Sequence, residues 1–240
     1  MAGRFSMTFA GQAGFIFESG QGYRMGVDLY LSDCCLRYFG FKRLMPYLYN
    51  PLEMNLDLLV ATHAHYDHFD PDSVPLMLSG KTQLVAAQDV RAEAERLGLE
   101  SGRISYLAEG DVFENASVRI RALPCDHGEG TPDAIGLLIE ADGKRIAILG
   151  DTCYRADNFS SPLLNDLDVL ILPINGAFGN LNEAEGARAA GVIQPRLAVP
   201  CHFWNFAEHG GNPNLFAAEM QEKYPDIPYR LMRMGERISL

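Results

Sequence analysis

The stretch Leu56–Asp70, LDLLVATHAHYDHFD, decides how the rest of the chain is read. Leu58, Leu59, Val60 and Ala61 form an apolar run of strand length between polar residues, the pattern of a strand buried on both faces. His63, His65, Asp67 and His68 follow, four metal-competent side chains within six residues. Asp70, Pro71, Asp72 and Ser73 then offer the capping and first-turn residues of a helix. The order is strand, ligand loop, helix. Two apart on a still-extended chain, His63 and His65 point the same way. Asp67 and His68 come after the turn begins and reach a second point, so one loop can serve two metal ions. Three of the six histidines sit in this loop, which argues against an ordinary polar surface loop.

Outward from it, toward the N-terminus, residues 4–31 read as a β meander: Phe5, Met7 and Phe9 alternate, Phe15–Phe17 follow two glycines, and Tyr23–Asp28 is a further strand. Residues 32–55 show neither period; they are aromatic and carry Arg37, Lys42 and Arg43. Toward the C-terminus come a strand over Thr82–Ala87, then a helix capped by Asp89 and stopped by Gly98. Strands follow at 103–107 and 111–123, and a hairpin joins 134–140 to 144–149 through Asp142-Gly143. After a strand at 168–172, Asn182 and Glu185 make a capping pair for a helix to about Ala190, with Gly191 as its stop. Leu197–Pro200 is another strand. Asn212-Pro213 opens a last helix to about Tyr224, and a closing strand is expected over Tyr229–Met232. No linker or low-complexity tract interrupts residues 1–240, which read as a single domain. Both halves run from β-rich to helix-bearing segments, as two similar layers facing each other would.

The expected strands end at His63, His127, Asp151, Asn175-Gly176 and His202. In α/β architectures, loops at the carboxyl ends of strands converge on one edge, where sites gather. Any one of these residues alone is unremarkable as a turn or cap residue; the joint pattern is not. The His63-x-His65-x-Asp67-His68 motif, with His127, Asp151 and His202 in order after it, resembles the metallo-β-lactamase superfamily over nearly the whole chain. The resemblance implies an α/β fold, a four-layer αββα sandwich with the site at one edge. It also implies that His63, His65 and His127 bind one metal, that Asp67, His68 and His202 bind another, and that Asp151 bridges them. Imidazole and carboxylate suit zinc, manganese or iron. Two such ions hold and activate a hydroxide that attacks the substrate carbonyl, with Asp67 orienting it or carrying a proton to the leaving group. No serine or cysteine nucleophile is required. Cys125 and Cys201 read as structural.

The segments PINGAFGNLNEAEGA and PCHFWNFAEHGGNPNLF most resemble the branch that contains L-ascorbate-6-phosphate lactonase. That likeness implies a lactone or ester of a small anionic, sugar-phosphate-like molecule. Asn175, Trp204, Asn205 and Glu208 are then expected beside the mouth, and Arg37, Lys42 and Arg43 on the anion, with residues 32–55 either an ordinary loop tucked against the core or a basic, aromatic lid over the site. His209 is either a solvent-exposed loop residue before Gly210-Gly211 or a catalytic hydrogen-bond and proton-relay group.

The net charge of −11 argues against a nucleic-acid partner and against a phosphodiesterase of the same superfamily, which would want a basic track. The second alternative, a non-catalytic metal-binding or regulatory domain, sits poorly with seven intact ligand positions. No apolar leader core and no membrane-length run is present, and the five cysteines lack paired spacing. The expectation is a cytoplasmic metal-dependent hydrolase with a small-molecule substrate, no membrane contact, and oligomeric state left open.

Overall fold

Alternation along the quoted strand divides its side chains between two cores. Leu58 and Val60 face one, Leu59 and Ala61 the other. That division builds the architecture. The computed structural model describes residues 4–240; residues 1–3, the first of the single expected domain, lie outside them.

The first sheet opens with the antiparallel strands β1 (Ser6–Gly11), β2 (Gly14–Glu18) and β3 (Arg24–Val27). It continues in parallel through β4 (Leu58–Ala61), β5 (Gln83–Ala87) and β6 (Ile104–Leu107). The second sheet repeats the plan. Its strands β7 (Val112–Glu114), β8 (Arg119–Leu123), β9 (Gly136–Ala141) and β10 (Lys144–Ile148) are antiparallel, and β11 (Val169–Pro173) and β12 (Ala198–Cys201) add in parallel. A last strand, β13 (Arg237–Ser239), returns to pair with β1.

Between the sheets lies an apolar core of Phe15, Phe17, Val60 and Val85 against Ile139, Ile146, Ile148 and Ile171. Outside the first sheet pack the helices α2 (Val74–Met77) and α3 (Val90–Arg96) with their loops, while the short helix α1 (Cys34–Phe39) packs in a separate small cluster with Tyr30 and Phe206. Outside the second pack α4 (Ala156–Phe159), α5 (Glu183–Ile193) and α6 (Pro213–Lys223). Helix, sheet, sheet, helix is the αββα sandwich expected. Among the described residues no helix is long and apolar enough to cross a membrane.

Three local expectations change. The strand read over 111–123 is a hairpin, because the Asn115 side chain accepts from the amides of Ser117 (2.8 Å) and Val118 (3.0 Å) and turns the chain. The closing strand is β13; Tyr229 makes only an isolated bridge to Ala198. Gly191 does not stop α5, which runs on to Ile193 and ends at Gln194 in the left-handed conformation. Gly191 is there for proximity: a Cβ would lie 2.2 Å from the Tyr224 ring, so its absence lets α5 approach the end of α6. The capping pair of Asn182 and Glu185 is present in both directions, and Asp142-Gly143 does join β9 to β10.

Candidate metal centre

The ligand loop is anchored before it offers anything to a ligand. Phe69 is fully buried in the core outside the first sheet. The Asp70 carboxylate accepts from Leu31 N (3.0 Å), Ser32 Oγ (2.7 Å) and Ser73 Oγ (2.7 Å), clamping the loop to the chain that follows β3. Asp28, at the end of β3, accepts from Thr62 N (2.8 Å) and Thr62 Oγ1 (2.7 Å) and lies 2.9 Å from His68 Nδ1. This pairing turns His68 Nε2 toward the site, as carboxylates behind ligand histidines do. Asp89 makes no side-chain cap bond to α3; it accepts instead from Ala64 N at 3.2 Å and ties that helix to the loop.

Three later strand ends, carrying His127, Asp151 and His202, then meet the loop. His63 Nε2 lies 3.0 Å from His65 Nδ1, which lies 3.1 Å from His127 Nε2. A ring nitrogen offers either one proton or one in-plane lone pair, so His65 Nδ1 cannot make a well-formed hydrogen bond to both neighbours; a shared cation can satisfy all three. Asp151 sits beyond the left-handed Gly150, where a Cβ would come 2.9 Å from Ile135 O. Its Oδ1 is 3.3 Å from His68 Nε2, and its Oδ2 is 3.2 Å from His202 Nε2 and 3.8 Å from His127 Nε2. Asp67 Oδ2 lies 3.2 Å from His202 Nε2 and 3.6 Å from His68 Nε2. His68 Nε2 and Asp151 Oδ1 are buried without hydrogen-bond partners.

Among the described residues, the donor atoms fall into three groups close enough to hold an ion: His63, His65 and His127; His63, His68 and Asp151; and Asp67, His202 and His209. The first is the set the resemblance implied. The third brings in His209, which the resemblance left without a metal role. Its exposed-loop reading is corrected: His209 is buried and stacks on His202 at 5.2 Å between centroids.

Gln12 was missed altogether. It occupies the tight turn between β1 and β2 at φ 54°, and its Nε2 donates to Asp67 Oδ2 at 2.8 Å. The same nitrogen lies 3.1 Å from His202 Nε2 and 3.3 Å from His209 Nδ1. A glutamine between Gly11 and Gly14 in a hairpin turn was the only local signal. Asp28 had a clearer one: Gly26-Val27-Asp28 is another strand end on the same edge.

Charge divides the centre in two. Burial holds His63, His65 and His127 below the ordinary imidazole range, so these rings are neutral. Burial also opposes a proton on His68 and His202, but Asp151 and Asp67 outweigh it, aided at His68 by Asp28. His68 is held well above its usual value, and His202 is pushed up to about 9. Both carboxylates stay well below theirs, since His68 and His202 outweigh the burial that would raise them. Burial, then the His202 charge, brings His209 down to about 4. Neutral imidazoles and ionised carboxylates are the forms that ligate divalent ions. The donor set fits such ions.

Above these groups opens a cleft of about 170 Å³ walled by Cys35, Phe39, Phe41, Tyr66 and Phe178. Residues 32–55 thus form one wall, but its basic character is corrected. Arg43 is turned inward, its side chain 7% exposed, donating to Ser32 O (3.0 Å) and Asn205 Oδ1 (3.3 Å) and lying over the Tyr30 ring. Arg37 pairs with Asp72 at the surface, and Lys42 is exposed away from the cleft. The other expected substrate residues also lie elsewhere. Asn175 is buried and accepts from Asn180 (3.1 Å), and Glu208 faces solvent. Trp204 and Asn205 line a neighbouring cavity of about 490 Å³, with Gln12 in its wall. Cys201 is buried in the inter-sheet core, and Cys125 donates to Asp151 O at 3.0 Å, so neither joins a donor group.

The family model of the β-lactamase superfamily domain matches residues 6–202. A UPF0173 metal-dependent hydrolase of Methanopyrus kandleri is 27% identical over 198 residues, 78% of this chain and 84% of that one. A UPF0173 protein of Pyrococcus furiosus is 31% identical over 172 residues, 70% of this chain and 75% of that one. The structure of a metallo hydrolase from Ignicoccus hospitalis superposes with a TM-score of 0.76 at 21% identity, covering 98% of each chain; the likeness is one of fold.

Proposed function

The chain belongs to the metallo-β-lactamase superfamily and, within it, to the UPF0173 metal-dependent hydrolases, and on that premise we propose that it is a two-ion hydrolase of carboxylic esters or lactones. The observation that carries this reading is Asp151, whose two oxygens face His68 and His202 on one side and approach His127 on the other. His63, His65 and His127 would hold one ion and Asp67, His68 and His202 the other, with Asp151 between them. Bound there, divalent ions supply a nucleophile at neutral pH and a Lewis acid for the carbonyl oxygen. Asp67, kept ionised, is an acceptor that orients an attacking water. His209, neutral at pH 7, presents a second acceptor at the cleft floor beside it. Asp28 positions His68 from behind, and Gln12 holds Asp67 through its side-chain amide. The lactone half of the proposal draws on the likeness of the C-terminal segments to the ascorbate-6-phosphate lactonase branch. A cytoplasmic setting is supported by five unpaired thiols.

The test is turnover by protein reconstituted separately with zinc and with manganese. The panel holds an aryl ester, a plain lactone, a phosphorylated sugar lactone, a thioester and a phosphodiester. A double variant, His63→Ala with His202→Ala, guards against contaminants. Ester or lactone turnover that is lost in the variant supports the proposal. Preference for the phosphodiester overturns it in favour of phosphoryl transfer, and a silent panel favours a binding or regulatory role.

A further inference from the structure

The cleft wall carries information about the substrate that the metal ligands do not. Its five non-ligand residues are one cysteine and four aromatics, and no lysine or arginine lines it. The rings run as a continuous series. Tyr66 lies 5.5 Å from Phe39, Phe39 lies 6.1 Å from Phe41, Phe41 lies 5.9 Å from Phe178, and both Phe41 and Phe178 reach His209 at 5.2 and 5.1 Å. Phe39 and Phe178 leave more than half of their surface open at the mouth, 55% and 59%. Phe178 does so from a left-handed backbone, φ 55°, which is costly for a bulky residue and concentrates at ligand-holding positions.

We propose that the non-reacting part of the substrate is a compact, uncharged, apolar group, of which a single aromatic ring is the best fit. This rests on the hydrolase reading for the reacting end, and on the wall alone for the rest. Ring faces are the negative side of the aromatic quadrupole, so a phosphate or carboxylate laid against Phe39, Phe41 and Phe178 is repelled, and no lysine or arginine among the described lining residues offsets it. The protein's net charge of −11 adds a long-range field against anions. A cation is the one charged group such faces attract, but the only carboxylates in the cleft are Asp67 and Asp151, both within reach of the ion-holding groups. Size sets an upper limit: the whole cleft, ligand floor included, is about 170 Å³, little more than an apolar cavity that accepts benzene, so the group beside the reacting end must be compact.

Two measurements decide it. The first is binding to the metal-free protein, followed by ligand-observed saturation-transfer NMR with benzamide, glucose 6-phosphate and choline as probes. The second is kcat/KM of the reconstituted protein for phenylacetate, acetate and phosphorylated esters of one common alcohol. Benzamide is expected to bind most tightly and to weaken at least ~5-fold in Phe178→Ala. The phenylacetate ester is expected to exceed the acetate ester by tenfold or more. In Phe178→Lys the phosphorylated ester should gain relative to the phenylacetate ester. Because Phe178 is largely exposed, both variants can be checked for an unchanged melting temperature. Tighter binding of glucose 6-phosphate or choline, or benzamide binding indifferent to Phe178→Ala, overturns the proposal. Failure of every ester while benzamide still binds through Phe178 would instead sink the hydrolase reading and leave the wall assignment standing.

Discussion

Metal uptake should release protons, and unequally from the two halves of the centre. His202 Nε2 lies 3.2 Å from a carboxylate oxygen of Asp67 and of Asp151, and its proton is held up to about 9. At pH 7, two units lower, about 99% of His202 is protonated in the metal-free protein. His68, facing Asp151, Asp67 and Asp28, is likewise held well above its usual value. A ligating imidazole must be neutral, so on the proposed assignment an ion held by Asp67, His68 and His202 displaces about two protons. Filling the His63–His65–His127 group displaces almost none, because burial already keeps those rings neutral. Apparent affinity at the second group should then rise up to ~10-fold per pH unit for each proton as pH goes from 7 toward 9, while the first stays nearly flat over that range. Calorimetric titration with zinc in buffers of different ionisation enthalpy reads the proton count as a slope. A slope near zero for both binding events refutes the reasoning. The same charges act on stability without metal. His202 has a raised folded value, so its contribution is complete below about pH 6.5, is lost as pH rises through about 9, and amounts to ~3 kcal/mol. Thermal melts of chelator-treated protein at pH 6 and pH 10 check that sign.

Other perturbations follow from single contacts. Asp28→Asn removes the carboxylate behind His68 Nδ1 and should weaken binding of the second metal roughly 10–100-fold by calorimetry, with the fold retained. Arg43→Ala deletes an inward guanidinium bonded to Ser32 O and Asn205 Oδ1 and should cost about 2–4 kcal/mol in urea unfolding. Arg37→Ala, at a surface pair with Asp72, should change stability by less than about 0.5 kcal/mol and leave KM for a neutral ester unchanged. Gly191→Ala forces a methyl to within 2.2 Å of the Tyr224 ring and should destabilise by about 1–3 kcal/mol, read as a lowered urea midpoint. Asn182→Ala removes one arm of the α5 capping box and should cost ~1 kcal/mol in the same assay.

Several features of the chain were legible because their causes are local. The apolar run before His63 and the spacing of the four ligand-loop residues need only the period of an extended strand and one turn. Asp142-Gly143 and the Asn182–Glu185 pair were readable for the same reason: turn and cap chemistry act within four residues. Where a glycine's role was decided by a distant ring, as at Gly191, local reasoning assigned a helix stop to what is a packing contact. Arg43 was misread in the same way. A guanidinium in an aromatic segment looks like an anion site until the carbonyls of Tyr30 and Ser32 and the side chain of Asn205 are seen to surround it.

By itself, the sequence determined that a strand delivers an H-x-H-x-D-H loop to a sheet edge, that His127, Asp151 and His202 end later strands, and that the chain alternates between sheet and helix. Those facts are carried by residue identity and short-range period. Only the tertiary structure decided that Gln12 and His209 join the Asp67–His202 pair, that Asp28 steers His68, and that the cleft above the ligands is walled by rings instead of cations. Gln12 and His202 are separated by 190 positions. Their contact exists because two sheets pack face to face and bring the β1–β2 turn beneath the end of β12, and no periodicity along the chain encodes which side chains such packing turns toward one another.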